Sequence, residues 1–587
     1  MSVMKRYFIP GIAAALALTV LPACNQDLLN IPQKGVIAYE DFYQTDDDAE
    51  SALVTAYASI FSLFASQGQN TPSYNVFFNA PGDELYWGGG KKEDHIAAQE
   101  INEFRATFGS TNVHITYIYK RMYAIIYKCN LVIDNFWGEN GELADSAVKK
   151  RCVAEARVIR AWAHMQLACF FGTPPLVDHV LAGDARPTNS DKEVLWQWII
   201  KEFSEAAEAL PARNGKTDKD GAVKITQGAA LAFLGKALVL HGDYEAAKAP
   251  LKRVIDSGNY DLVPGPEMRD LFHKAGDGNM EKVFELNYSD NETYGSNSRW
   301  HYQRNQSLFF RQMKGYPDLI IQQTGWGNNI GPTKKFVDAI LENEAGSFRQ
   351  KAWIVSYDEY LKMPYAKLDK KADGTLMTDE EKLMDPKRGL DFTKYNDLYA
   401  NYGWFFFKFL PYQADLINNS SRNTDQNQVI MRYAEVLLLY AEACAKTSDD
   451  GSGLAALNKV QERAGAPKTA LTMDNVKKEK WFELAWEGTR FVDLVRWGDA
   501  AKELAFRGKE ETPYLTDEFY EYGTNGKKQS GKPHKAVIRM VDDGWAAKGA
   551  GFKAGKHELY PIPFDVIELN PYNAETGEGL KQNPGWD

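Results

Sequence analysis

Three ionisable side chains, Glu487, Arg490 and Asp493, are spaced i, i+3, i+6 in an apolar run that holds Trp486, Phe491, Leu494 and Trp497. On a helix this spacing puts all three on one face, where they can be buried as a mutually hydrogen-bonded ladder. Such a ladder is architecture more than chemistry. Adjacent carboxylates that could do acid and base work occur at Asp83-Glu84. Neighbours on an extended segment point to opposite sides, however, and do not make a matched glycosidase pair. The 9 histidines are scattered, with no H-E-x-x-H, no paired C-x-x-C and no G-x-S-x-G elbow, so these patterns give no support to metal or nucleophile catalysis. Gly228 to Lys236 has glycines near a lysine, but at the wrong spacing for a phosphate loop. The reading is a protein that binds and does not catalyse.

Binding chemistry is better represented. Sugars offer flat C–H faces and rings of hydroxyls, which call for exposed aromatic rings beside amide, carboxylate or guanidinium groups. Two windows fit. In Gly82 to Gly90 the glycines at 88, 89 and 90 predict little local cover for Trp87; Asp83 and Glu84 beside it either bind ligand or satisfy turn amides. Between Asn287 and Asn329, Trp300, Tyr302, Arg304 and Trp326 stand among asparagines, and chemistry alone selects them as ligand contacts. Phe405, Phe406 and Phe407, beside Trp404, read as core.

A rigid scaffold must carry these windows. The clearest unit is Gly228 to Gly258, where Gly235, Gly242 and Ala247 have tetratricopeptide-repeat spacing and Gly242-Asp243-Tyr244 supplies the turn between two helices. A second pair is predicted at Val429 to Thr447 and Gly453 to Ala464. Further helices are predicted at Asp47 to Ala65, Thr111 to Trp137, Ser146 to Phe171 and Asp191 to Leu210. Eight helices make about four pairs. Residues 262 to 425 are rich in Asn, Gly, Tyr, Trp and Pro and read as a loop layer, with one short strand at Lys282 to Leu286. The expected fold class is therefore mainly α: about four repeat-like helix pairs forming a scaffold, covered by a loop-rich layer with a few short strands.

The N-terminus predicts export. Lys5 and Arg6 precede an apolar run from Tyr7 to Val20, too short for a stable transmembrane anchor. It ends in Leu21-Pro22-Ala23-Cys24, which is similar to a bacterial lipoprotein signal with Cys24 as the lipidated first residue. Acyl chains on Cys24 would tether the chain to a membrane. Beyond the signal no apolar run of about 18 residues is read as crossing a membrane. Cys129, Cys152, Cys169 and Cys444 lie in helical patterns beside small and aliphatic residues, so buried free thiols are expected. A formal net charge of −11 without a basic block argues against a nucleic-acid partner.

The run Glu483-x-x-x-Glu487-Gly488-x-Arg490-x-x-Asp493-Leu494-x-Arg496-Trp497-Gly498 closely resembles the C-terminal signature of the SusD/RagB family. Pro561-Ile562-Pro563, Asn570-Pro571 and Gln582-Asn583-Pro584-Gly585-Trp586 resemble its closing motifs, with Trp586 in place of Tyr. Glu155 to Trp162 and Phe171 to Val177 resemble an N-terminal pair of motifs, so the likeness spans nearly the whole chain. It implies a signal at 1–23, an N-terminal region of helical pairs at 24–230, and a region at 231–587 that holds further pairs, ligand loops and the signature. It also implies a surface-exposed outer-membrane lipoprotein that binds nutrient oligosaccharide and sits on a SusC-type TonB-dependent transporter. Asp83, Glu84 and Trp87 are carried over as ligand contacts on this basis, and Glu487, Arg490, Asp493, Arg496 and Trp497 as structural residues. No cofactor is implied; some relatives hold calcium, but no oxygen-ligand motif is legible here. Two other readings remain open at this point: a peptide ligand in the same transport role, and a non-catalytic repeat scaffold that binds other surface proteins.

Overall fold

A computed structural model describes residues 42–64, 73–87, 95–138, 140–288, 317–319, 330–385, 387–388, 404–410, 412–415, 425–509, 512–514, 539–541 and 549–586. Eight long helices form its main layer: α1 Asp46–Phe64, α2 Val113–Phe136, α3 Ala147–Phe171, α4 Lys192–Ala209, α5 Gln227–His241, α6 Tyr244–Asp256, α7 Tyr433–Lys446 and α8 Ser452–Ala464. Their starts follow from capping chemistry. Asn112, Ser146, Asp191 and Thr226 each accept a backbone N–H of the first turn through the side chain, and Thr45 and Asp48 do so reciprocally.

Successive helices pack against one another from α2 through to α8, although some 175 residues separate α6 from α7 in the chain, and α1 lies on α2 and α3. Helix α5 is buried on nearly all sides, as suits the middle of a helical layer. The span Asp220–His241 is long and apolar enough to cross a membrane by length and composition, contrary to the sequence reading, but most of it is buried inside the layer. Gly235 lets α5 and α6 meet. A Cβ at Gly235 would lie 2.4 Å from Leu251 Cδ2, so the repeat-like spacing marks a real close approach. The turn after α5 uses Gly242 at φ 105, the left-handed region that glycine enters freely.

Among the described residues, eight short strands form four antiparallel pairs: β1 Leu85–Trp87 with β3 Ile330–Pro332, β2 Lys282–Leu286 with β6 Gln428–Arg432, β4 Ile354–Ser356 with β5 Trp404–Phe406, and β7 Thr512–Tyr514 with β8 Arg539–Val541. The β2–β6 register puts Lys282 opposite Arg432, bringing that arginine beside Glu281. Trp404 to Phe407 are core, as expected. Part of the predicted loop layer is helical, at Lys334–Glu344, Phe348–Trp353, Tyr357–Lys362 and Asp379–Met384. Caps at Thr333, Ser347, Ser356 and Thr378 start these helices, a local signal that outweighs composition. One hydrophobic cluster extends from Ala49 to Leu580. Cys129, Cys152 and Cys444 are buried and Cys169 is half-buried, all four as free thiols.

Candidate functional site

The signature does not form the ladder that its spacing predicts. The helix Met473–Glu483 ends before it, Trp486 adopts φ 63 and Gly488 φ 80, and a second helix starts at Arg490. Glu487 therefore lies in a turn. It accepts from Arg432 Nε at 2.7 Å and Lys408 Nζ at 2.6 Å. Arg490 binds Asp83 through Nε at 2.8 Å and Nη2 at 3.0 Å. Asp493 pairs with Lys480 at 2.8 Å and Arg496 at 2.7 Å, while Arg496 and the Trp497 indole both donate to Glu442. The three residues bind three different parts of the chain rather than one another. The mutual ladder is corrected, because the turn at 484–489 breaks the helical period on which it rested.

The centre of this ionic core lies on residues that spacing does not reveal. Arg432, fully buried, donates to Glu281 at 2.8 Å and Glu483 at 2.6 Å as well as to Glu487. Arg463 bridges the same two glutamates, and Arg349 joins Glu344, Glu479 and Glu483. Burial alone would raise the carboxyl groups of Glu483 and Glu487, but the surrounding Arg and Lys side chains hold both below their ordinary range. Lone charged residues among apolar neighbours, such as Arg432 between Met431 and Tyr433, are the one hint of this cluster in the sequence.

Asp83, Glu84 and Trp87 belong to this scaffold as well, and their expected exposure to ligand is corrected. Trp87 is 0% exposed in β1, and its backbone N–H donates to Asn102 Oδ1 at 3.0 Å. Strand pairing with β3 and packing into the core cover the ring in spite of the glycines that follow it. Burial would raise Asp83, yet Arg490 and Lys335 hold its carboxyl well below the usual carboxylate range. Burial pushes Glu84 up to about 8, against the opposing pull of the Trp486 N–H that donates to it at 2.8 Å. A depressed and an elevated carboxyl side by side resemble an acid–base pair. Both are nevertheless buried, and each is committed to holding residues 486–490.

Trp300, Tyr302, Arg304 and Trp326 lie outside the described residues, as does Cys24. Tyr288, at the edge of the same window, is buried against Phe61. A ligand-sized groove of about 470 Å³ runs beside α5 and α6, lined in part by Arg213, Gln227, Asn259 and Tyr260. Arg213 lies over the Tyr260 ring and Tyr433 stacks with it, so this groove offers no open aromatic face to a sugar. Among the described residues no group of three His, Cys, Asp or Glu side chains could hold a metal ion.

Comparison with known proteins matches residues 280–586 to the model of the SusD family, and residues 53–238 to a model described as "Starch-binding associating with outer membrane". A SusD-like protein of Bacteroides ovatus is 23% identical over 560 residues, covering 90% of this chain and 89% of the relative. SusD-like protein P2 of Formosa agariphila is 26% identical over 514 residues, covering 84% and 91%. Among solved structures, surface glycan-binding protein A from Bacteroides thetaiotaomicron in complex with laminarihexaose aligns over 92% of this chain and 100% of that one. Its TM-score is 0.65 at 20% identity.

Proposed function

Since the chain belongs to the SusD family, we propose that it is an outer-membrane lipoprotein that captures an oligosaccharide at the cell surface and passes it, without catalysis, to a SusC-type TonB-dependent transporter. The observation that carries this reading is the fold. The chain aligns over 92% of its length with a surface glycan-binding protein solved with laminarihexaose. The signal and Cys24 support attachment to the membrane by lipid. The ionic core supports a binding role as well, because its carboxylates are committed to cations within the fold.

In this reading the stacking and hydrogen-bonding groups come from the 287–329 window, with Trp300, Tyr302, Arg304 and Trp326 as contacts; Trp87 is no longer among them. Calorimetry on the chain lacking residues 1–24, against laminarihexaose, starch oligosaccharides and a wider glycan panel, tests it. Losing an anchoring aromatic costs about 2 kcal/mol, close to thirtyfold in affinity. Glycan binding that is unchanged in Trp300→Ala, Tyr302→Ala and Trp326→Ala would move the site elsewhere. Binding of peptides but of no glycan would replace the ligand class. A Cys24→Ala chain that still fractionates with the outer membrane would remove the anchor.

A further inference from the structure

A recessed polar cavity lies where the first-half helices meet residues 428–493. It has two adjoining lobes that share Tyr74, Ile430, Glu435 and Glu487 as walls, with room for water centres of about 40 Å³ in one and 30 Å³ in the other. Although it is ringed by core residues, Glu487 and Lys236 keep 14% and 17% of their side-chain surface accessible. The space therefore admits water-sized molecules.

The lining defines what it can hold. Glu435 pairs with Lys236 at 2.7 Å, Glu487 with Lys408 at 2.6 Å, and Asp493 with Lys480 at 2.8 Å. Each carboxylate on the wall already has its own cation, so an added ion of either sign would find no uncompensated charge. The groups left over are neutral. Tyr74, Gln166 and Thr489 line the cavity, are half-buried, and have no side-chain hydrogen-bond partner among the described residues. Such groups need a partner that both donates and accepts.

We infer that this cavity is a site for ordered water, with room in each lobe for more than one molecule. The waters bridge the Tyr74 and Thr489 hydroxyls and the Gln166 amide to Glu435 and Glu487. They hydrate the seam between the parts of the chain that match the two family models, and so help its buried ion pairs to remain charged. The inference is independent of the ligand and of the transporter.

Crystals of the mature chain test it, solved untreated, under xenon pressure and with thallium(I) in the mother liquor. The expected result is discrete water density at hydrogen-bonding distance from Tyr74 Oη, the Gln166 amide and Thr489 Oγ1, with neither xenon nor thallium bound there. Gln166→Leu and Thr489→Val should each delete one or two of these positions and leave the Lys236–Glu435 pair in place. Xenon in the lobes, or a lack of ordered density there, would show an apolar cavity and overturn the inference. An anomalous thallium peak would overturn it in favour of a cation site.

Discussion

Helices α5 and α6 and the segment 483–497 are both packed into the core, but by opposite means. The helix pair meets through small and apolar side chains, with Gly235 against Leu251. The segment is held by ions, with Glu483, Glu487 and Arg490 each tied to residues distant in the chain and Asp493 to Lys480 and Arg496 nearby. Apolar contact is tolerant: a lost methyl leaves a small void. An ion network is not, because removing one member strands its partners without water.

Arg432 is therefore the position where the two packing modes should differ most. Arg432→Met leaves Glu281, Glu483 and Glu487 each short of a cation, with a cost of at least about 3–5 kcal/mol. Arg490→Met should cost less, because it takes a cation from one carboxylate, Asp83, which Lys335 still holds at 2.7 Å, and not from three. Urea denaturation of both variants checks the order. Equal costs would mean that Arg463 and Lys408 make good the loss of Arg432 as fully as Lys335 makes good the loss of Arg490.

Trp87→Ala follows, at about 3–5 kcal/mol for a large side chain removed from a full core. Thermal melting reads it directly. A melting point unchanged from wild type would return Trp87 to the surface and reopen it as a ligand contact.

These two positions also mark what the sequence could reveal. The eight helices were legible to within a few residues because apolar period and caps are local. Strand β2 was legible as a short β-rich run. The other strands were not, since three-residue pairs such as β1 with β3 depend on partners about 245 residues away. That Glu487, Arg490 and Asp493 need ionic partners among apolar neighbours could be read, but which partners could not. Arg432 and Arg349 carry no spacing signal, and a turn at Trp486 with φ 63 is not written in a run that otherwise looks helical. Trp87 misled because glycines next to a residue say nothing of a strand that covers it from the far side of the chain.

The third test concerns Glu84. Its folded carboxyl titrates near 8, above the ordinary value of about 4.3. Between these values the folded state holds a proton that the unfolded chain has released, so stability is greatest below the lower value and falls as pH rises toward 8. Glu84→Gln keeps an oxygen for the Trp486 N–H and stays neutral throughout. Relative to this variant, wild type should lose on the order of 3 kcal/mol between pH 5 and pH 8. Parallel stability curves would mean that Glu84 is ionised in the fold, and that residues 484–489 are held by a charge.

The smallest expected effect is that of an insertion in the apolar pair. Gly235→Ala puts a methyl 2.4 Å from Leu251, with φ no obstacle at this helical position. Overpacking of this kind costs about 1–3 kcal/mol unless the neighbour can move. Leu251→Ala alone should cost about 2–5 kcal/mol by opening a void. Combined with Gly235→Ala it should cost less than the two summed, because the added methyl occupies part of the space that leucine leaves. A double-mutant cycle in urea measures that coupling. Strict additivity would show that α5 and α6 separate to accept the methyl, and that the helix pair tolerates insertion where the ionic segment does not tolerate loss.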